Sequence, residues 1–199
     1  MQHIIKKLQP TANARAAAVV PEGMLFRSGV FVEVKRMLLD DFHLFAVISL
    51  PPGAFAPYSD VKTALLFFRR AEGGHIRNPL ARNETWYDEP PPPAGLQKCS
   101  KGGPILDEHV EEARRLWEQW KRWLDGEGER PFPLAAGGRT AGATSSRPWW
   151  VETLDGLRAR GDDLRARNPY HGERAALPRL AELTARLLER QRDVHAARE

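Results

Sequence analysis

The chain is short of the residues on which several kinds of chemistry depend. Its single cysteine, Cys99, excludes an intrachain disulfide and suits a reducing cytosol. No apolar run approaches the roughly 18 residues of a membrane span, and the N-terminus MQHIIKKLQP lacks the apolar core of a secretory leader. A cytoplasmic protein without a membrane partner is expected. The histidines form no His-x-x-x-His pair and have no Cys or carboxylate at ligand spacing, so no metal is expected. The glycines at 73–74, 102–103, 126, 128 and 137–138 follow no apolar strand and open no helix, which excludes each as a phosphate cradle. Charge is also sparse in excess: 30 basic against 26 acidic residues leave +4. Such a balance is compatible with a DNA-contacting surface and too small to argue for one alone.

What is present is concentrated in AVISLPPGAFAPYSDVKTALLFF at 46–68. Ala46 to Leu50 is short, apolar and β-branched, Pro51-Pro52-Gly53 ends it, and a second apolar run follows from Val61 to Phe68. Phe55 and Tyr58 sit in the intervening loop. A loop so polar and kinked rarely holds a Phe for core packing alone, so Phe55 is either a plug over the sheet edge or a ring that stacks on a ligand.

The block VVPEGMLFRSG at 19–29, the helix-like FVEVKRMLLDD after it and the strand-loop-strand block together resemble the N6-adenine DNA methyltransferases. They are most similar to the modification subunits of type I restriction systems. In that family an LPxGxF loop brings an aromatic ring against the adenine flipped out of the duplex, and the resemblance puts Phe55 at that position, with Tyr58 beside it. Flipping costs a few kcal/mol of unstacking, part of which aromatic stacking returns. The family's other two signatures are absent. No glycine-rich turn for S-adenosylmethionine follows a first strand, and no Asn/Asp-Pro-Pro-aromatic tetrapeptide precedes the block. The cofactor implied by the family therefore has its main site outside these residues, and no catalytic residue is assigned here. Asn168-Pro169-Tyr170 lies too late in the chain and follows no apolar strand, so it reads as a turn or helix stop. It falls in GLRARGDDLRARNPYHGE at 156–173, which resembles the family's RGYxLDxKNPH segment, with Asp162 for the tyrosine and Arg165 for the aspartate.

The fold class expected is α/β: a partial Rossmann-like sheet made of the last three strands, Ala16–Val20, Ala46–Leu50 and Thr63–Phe68, followed by a mainly helical C-terminal region. One sheet edge would then stand uncovered where the missing strands belong, an invitation to pair with another chain. The organisation expected is a methyltransferase-like half-domain over 1–88, a Pro/Gly-rich loop over 89–106, a helix over 107–124, a flexible linker over 125–148 and a helical segment over 149–199. A short strand signal at Thr85–Asp88 closes the first unit before the prolines at 90–93. GLQKCSKGGPI at 95–105 resembles the family's GxKxYSKTKPM segment, with Cys99 at the tyrosine position. In the helix, Val110, Ala113, Trp117, Trp120 and Leu124 recur at three- and four-residue steps. That tryptophan stripe either packs on a neighbouring domain or stacks on bases. From residue 173 the leucine spacing reads as an amphipathic helix, which either folds back on its own domain or, as the resemblance implies, grips the specificity subunit.

Three functions compete on this reading. The first is the C-terminal part of an adenine-specific DNA methyltransferase, inactive without a separate cofactor-binding half, with DNA and a specificity subunit as partners. Its phosphate contacts are expected at Arg27, Lys35 and Arg36, with Arg69 and Arg70 nearby. The second is a non-catalytic DNA-binding or assembly module derived from such an enzyme. The third is a scaffold with no nucleic-acid role.

Overall fold

A computed structural model of the chain describes residues 2–8, 11, 14–70, 78–131 and 149–169. Its elements run α1 (Gln2–Lys7), β1 (Arg15–Pro21), α2 (Gly23–Phe26), α3 (Phe31–Asp40), β2 (Phe42–Ser49), β3 (Thr63–Arg70), a 3-10 turn (Pro79–Asn83), β4 (Glu84–Asp88), α4 (Asp107–Leu124), β5 (Trp149–Thr153) and α5 (Leu154–Ala159).

The strands form one mixed sheet in the order β1-β3-β2-β4-β5. β3 runs antiparallel to both β1 and β2, β4 runs parallel to β2, and β5 is antiparallel to β4. The three-strand expectation is thus corrected to five. The short strand at 84–88 joins the sheet, and Trp149–Thr153, expected to open a helical segment, pairs along it from Glu84↔Thr153 to Asp88↔Trp149. A five-residue strand offers too little periodicity to announce itself, and its partner is remote in sequence.

Burial explains the order. Phe42–Ser49 is buried almost throughout, as a central strand covered on both faces must be. Its pairing with β3 slips between Leu44 and Ala46, leaving Phe45 as the extra residue of a bulge. The bulge sends Phe45 and Ala46 to one face while Phe42, Leu44 and Val47 stay on the other. On the latter face α2, α3 and α5 pack through Leu25, Leu38 and Leu157. On the former lies α4, the one described helix there, burying Leu116, Trp120, Trp123 and Leu124 against Phe45, Trp86 and Val151.

The tryptophans of α4 are core. The Trp120 indole N–H donates to the Phe45 carbonyl at 2.9 Å, and Trp117 lies 4.6 Å from the Phe67 ring and 5.9 Å from that of Trp86. The expected stripe omitted Leu116 and Trp123, which share the buried side. After the helix the chain stays tied to the sheet: Asp125 pairs with Arg15 at 2.8 Å and Arg130 with Glu84 at 2.9 Å. The rest of the expected linker, residues 132–148, and the tail 173–199 lie outside the described residues.

Among the described residues β1 forms one margin of the sheet, and its coverage is one-sided. Ala18 and Val20 face the α2–α3 layer, whereas Ala17 and Val19 point to the α4 face, where the helix does not reach and Val19 stays 57% exposed.

Candidate functional site

β1, β2 and β4 point the same way, so their C-terminal ends meet the start of β3 on one rim, the side on which open α/β sheets commonly bind ligands. The loop over 50–62 leaves the sheet there. Its backbone is closed on itself: Ala56 N–H donates to Gly53 O at 2.9 Å, and the Tyr58 and Ser59 amides both donate to Phe55 O, at 2.9 and 3.1 Å. Folding so tightly holds its aromatic side chains outward. Phe55 is 41% exposed and Tyr58 94% exposed, and neither belongs to a core cluster.

A second segment braces the loop from behind. Cys99 N–H donates to Pro52 O at 2.8 Å, and the Cys99 carbonyl lies so near Gly53 that a Cβ added there would meet it at 2.2 Å. Gly53 also has φ +75°, a conformation that costs any L side chain. The glycine of LPPGAF is therefore fixed by both backbone hand and crowding.

Below the loop, Lys62 bridges Glu22 at 3.2 Å and Glu89 at 3.0 Å, joining the ends of β1, β3 and β4. Burial opposes its charge, yet the two carboxylates outweigh that and hold its pKa above the ordinary lysine value. Next to it Asp88 ends β4 with its side chain buried and Oδ2 without a hydrogen-bond partner. Burial, with Glu112 adding like charge, raises this carboxyl to about 7. Sequence reading passed over both residues. An acidic pair closing an apolar strand was the available signal.

The expected phosphate contacts do not all reach the surface. Arg27 is exposed. Arg36 is also accessible but stands 3.8 Å from Asp162. Lys35 requires correction: it is 3% exposed on the face of α3 that carries Val34 and Leu38, because the packed side of the helix takes its stem inward. Arg69 is buried too, donating from Nε to His43 Nδ1 at 3.2 Å, while Arg70 donates to Leu8 O at 3.0 Å. These two lie at the opposite rim. A cavity of about 250 Å³ also opens there, lined by His43, Arg82, Glu84 and Thr85, and burial beside Arg69 lowers His43 to about 4.

The segment resembling RGYxLDxKNPH works as a staple. Leu164 N–H donates to Leu25 O at 3.0 Å, the Tyr87 hydroxyl donates to Leu164 O at 3.2 Å, and the Arg165 guanidinium lies 4.3 Å from the Phe26 ring centre. Asp162 pairs with Arg158 at 2.9 Å and takes φ 61°.

S-adenosylmethionine finds no fitting cradle among the described residues. The one crowded positive-φ glycine after a strand, Gly53, is filled by the Cys99 carbonyl. Nor does any group of three His, Cys, Asp or Glu side chains there stand close enough to hold a metal ion. No described helix is long and apolar enough to cross a membrane.

The chain is 30% identical over 161 residues to the type I restriction enzyme EcoEI methylase subunit of Escherichia coli, covering 81% of this chain and 28% of that one. Against the EcoKI methylase subunit of Escherichia coli K12 the identity is 33% over 160 residues, covering 78% and 26%. Both relatives are therefore more than three times the length of the part matched. Among solved structures, a chain from work on complex assembly and conformational transition of the type I R-M system superposes with TM-score 0.70 at 48% identity, covering 98% of this chain and 36% of that one. The EcoKI M protein gives 0.60 at 26%, covering 84% and 36%. The family model described as N-6 DNA Methylase matches residues 1–129, and the chain belongs to that family.

Proposed function

We propose that this chain supplies the target-base end of an adenine-specific DNA methyltransferase of the type I restriction-modification kind, and that the S-adenosylmethionine-binding half is protein outside these residues. The observation that carries the reading is the pair of solvent-facing rings, Phe55 and Tyr58, on a loop locked at the rim of the sheet. A ring held out by its backbone is ready to stack on an extruded adenine, and the order lost on binding is small. The margin of β1, unpaired among the described residues and with Val19 57% exposed beside it, supports docking of a further polypeptide along that strand. A specificity subunit that reads the DNA sequence completes the assembly, with residues 173–199 as its grip.

Mixing the chain with a polypeptide bearing the glycine-rich and Asn-Pro-Pro-Tyr motifs tests this. Transfer of labelled methyl groups to adenine in duplex DNA is expected, and loss of most of it in Phe55→Ala. A soluble, bound pair that transfers nothing refutes the reading. The second function in view is a non-catalytic DNA-binding or assembly module derived from such an enzyme. Salt-sensitive duplex binding without methylation in any mixture would select it.

A further inference from the structure

The brace behind the aromatic loop carries two charges that no other feature of the fold uses. Ser100 and Gly103 exchange both backbone hydrogen bonds, at 3.0 and 3.2 Å, and the Ser100 hydroxyl accepts a further one from Gly103 N–H at 3.1 Å. This closes a tight turn with Lys101 at its tip. Lys98 precedes Cys99, the residue bonded to Pro52 of the loop. Both lysines are exposed, and neither has an ion pair or hydrogen bond among the described residues. The contrast with the cations of α3 is plain, where Lys35 is inside and Arg36 faces Asp162.

Resting on the proposed base-stacking role of Phe55, we infer that Lys98 and Lys101 form the phosphate clamp of the strand that carries the extruded adenine. A flipped nucleotide stays joined to its neighbours by the phosphates on either side, so the cations that hold it must stand beside the stacking ring. The Cys99–Pro52 hydrogen bond and the close approach of Cys99 O to Gly53 couple the lysine turn to the aromatic loop through backbone atoms alone. The backbone of the lysine turn is therefore tied to that of the aromatic loop. Such contacts carry no sequence information, which suits a chain whose target sequence is read elsewhere.

The test is binding of the full chain to a duplex with one bulged adenine, which lowers the cost of extrusion, followed by fluorescence anisotropy from about 50 to 200 mM KCl. Each lost phosphate contact removes roughly 0.7–0.9 from the slope of log affinity against log salt. The K98A/K101A double variant should lower the slope by about 1.4–1.8. K6A/K7A removes the same charge from α1, near Arg70 at the opposite rim, and should leave the slope unchanged. F55A should weaken binding by about 5- to 150-fold at every salt concentration with the slope intact. An unchanged slope in K98A/K101A, an equal fall in K6A/K7A, or no salt-dependent binding by the unaltered chain overturns the clamp. A lowered slope in K98A/K101A with full affinity in F55A keeps the clamp and removes the stacking role instead.

Discussion

Asp88→Asn should make the protein more stable at alkaline pH than the unaltered chain. Asp88 closes β4 between Ile48 and Trp149, with Oδ2 lacking a partner, and burial raises its carboxyl from 3.8 to about 7. The folded state therefore holds a proton that the unfolded chain releases from about pH 4 upward. Unfolding then gains in favour as pH rises, so stability is lost between about pH 4 and 7 and levels off above. At about 1.36 kcal/mol for each tenfold in proton affinity, the ceiling is about 4 kcal/mol. The amide cannot ionise and escapes this loss. His43 runs the other way. Burial and Arg69 lower it to about 4 from 6.5, so its contribution is lost as pH falls through that range. The two slopes offset each other in the unaltered protein, and Asp88→Asn should uncover the acid-side decline. Urea unfolding of both proteins near pH 4.5, 6 and 8 gives the difference in stability at each pH. That difference should grow by about 2–4 kcal/mol in favour of the variant from the lowest pH to the highest. A difference independent of pH would refute the assignment of a neutral carboxyl at the rim.

Gly53→Ala should destabilise by more than about 2 kcal/mol, since the left-handed backbone alone costs roughly 1–2 and the new methyl meets the Cys99 carbonyl; faster proteolytic nicking within 50–62 is the readout. Trp120→Ala should cost about 3–5 kcal/mol in chemical denaturation, because the ring is fully buried and its N–H is bonded to Phe45 O. Phe55→Ala, by contrast, should leave the unfolding midpoint within about 0.5 kcal/mol of the parent while abolishing most methyl transfer in the reconstituted enzyme.

Much of the sheet was readable because β1, β2, β3 and α4 have strong local patterns: apolar runs closed by proline or glycine, and a helix with acid at its first turn. β5 was not readable as a strand. WWVET is short, lies next to α5 and owes its extended form to β4. The setting of Phe55 among prolines left a plug and a stacking ring both open, and its 41% exposure is visible only in the fold; the brace at Cys99 was not readable either, because backbone contact between remote loops leaves no periodic trace. Lys35 misled for a related reason: on a helix with a wide packed face, a long stem can be drawn under the layer, and charge alone does not show which way it goes.

The margin strand β1 reads Arg-Ala-Ala-Ala-Val-Val-Pro, with alanine at three successive positions. Its surface is consequently shallow, a floor of methyl groups where other strands raise phenyl and indole rings. Close packing at interior density demands that volume withheld on one side be furnished on the other. Whichever polypeptide lies across Ala17 and Val19 must therefore carry the large side chains of that contact itself.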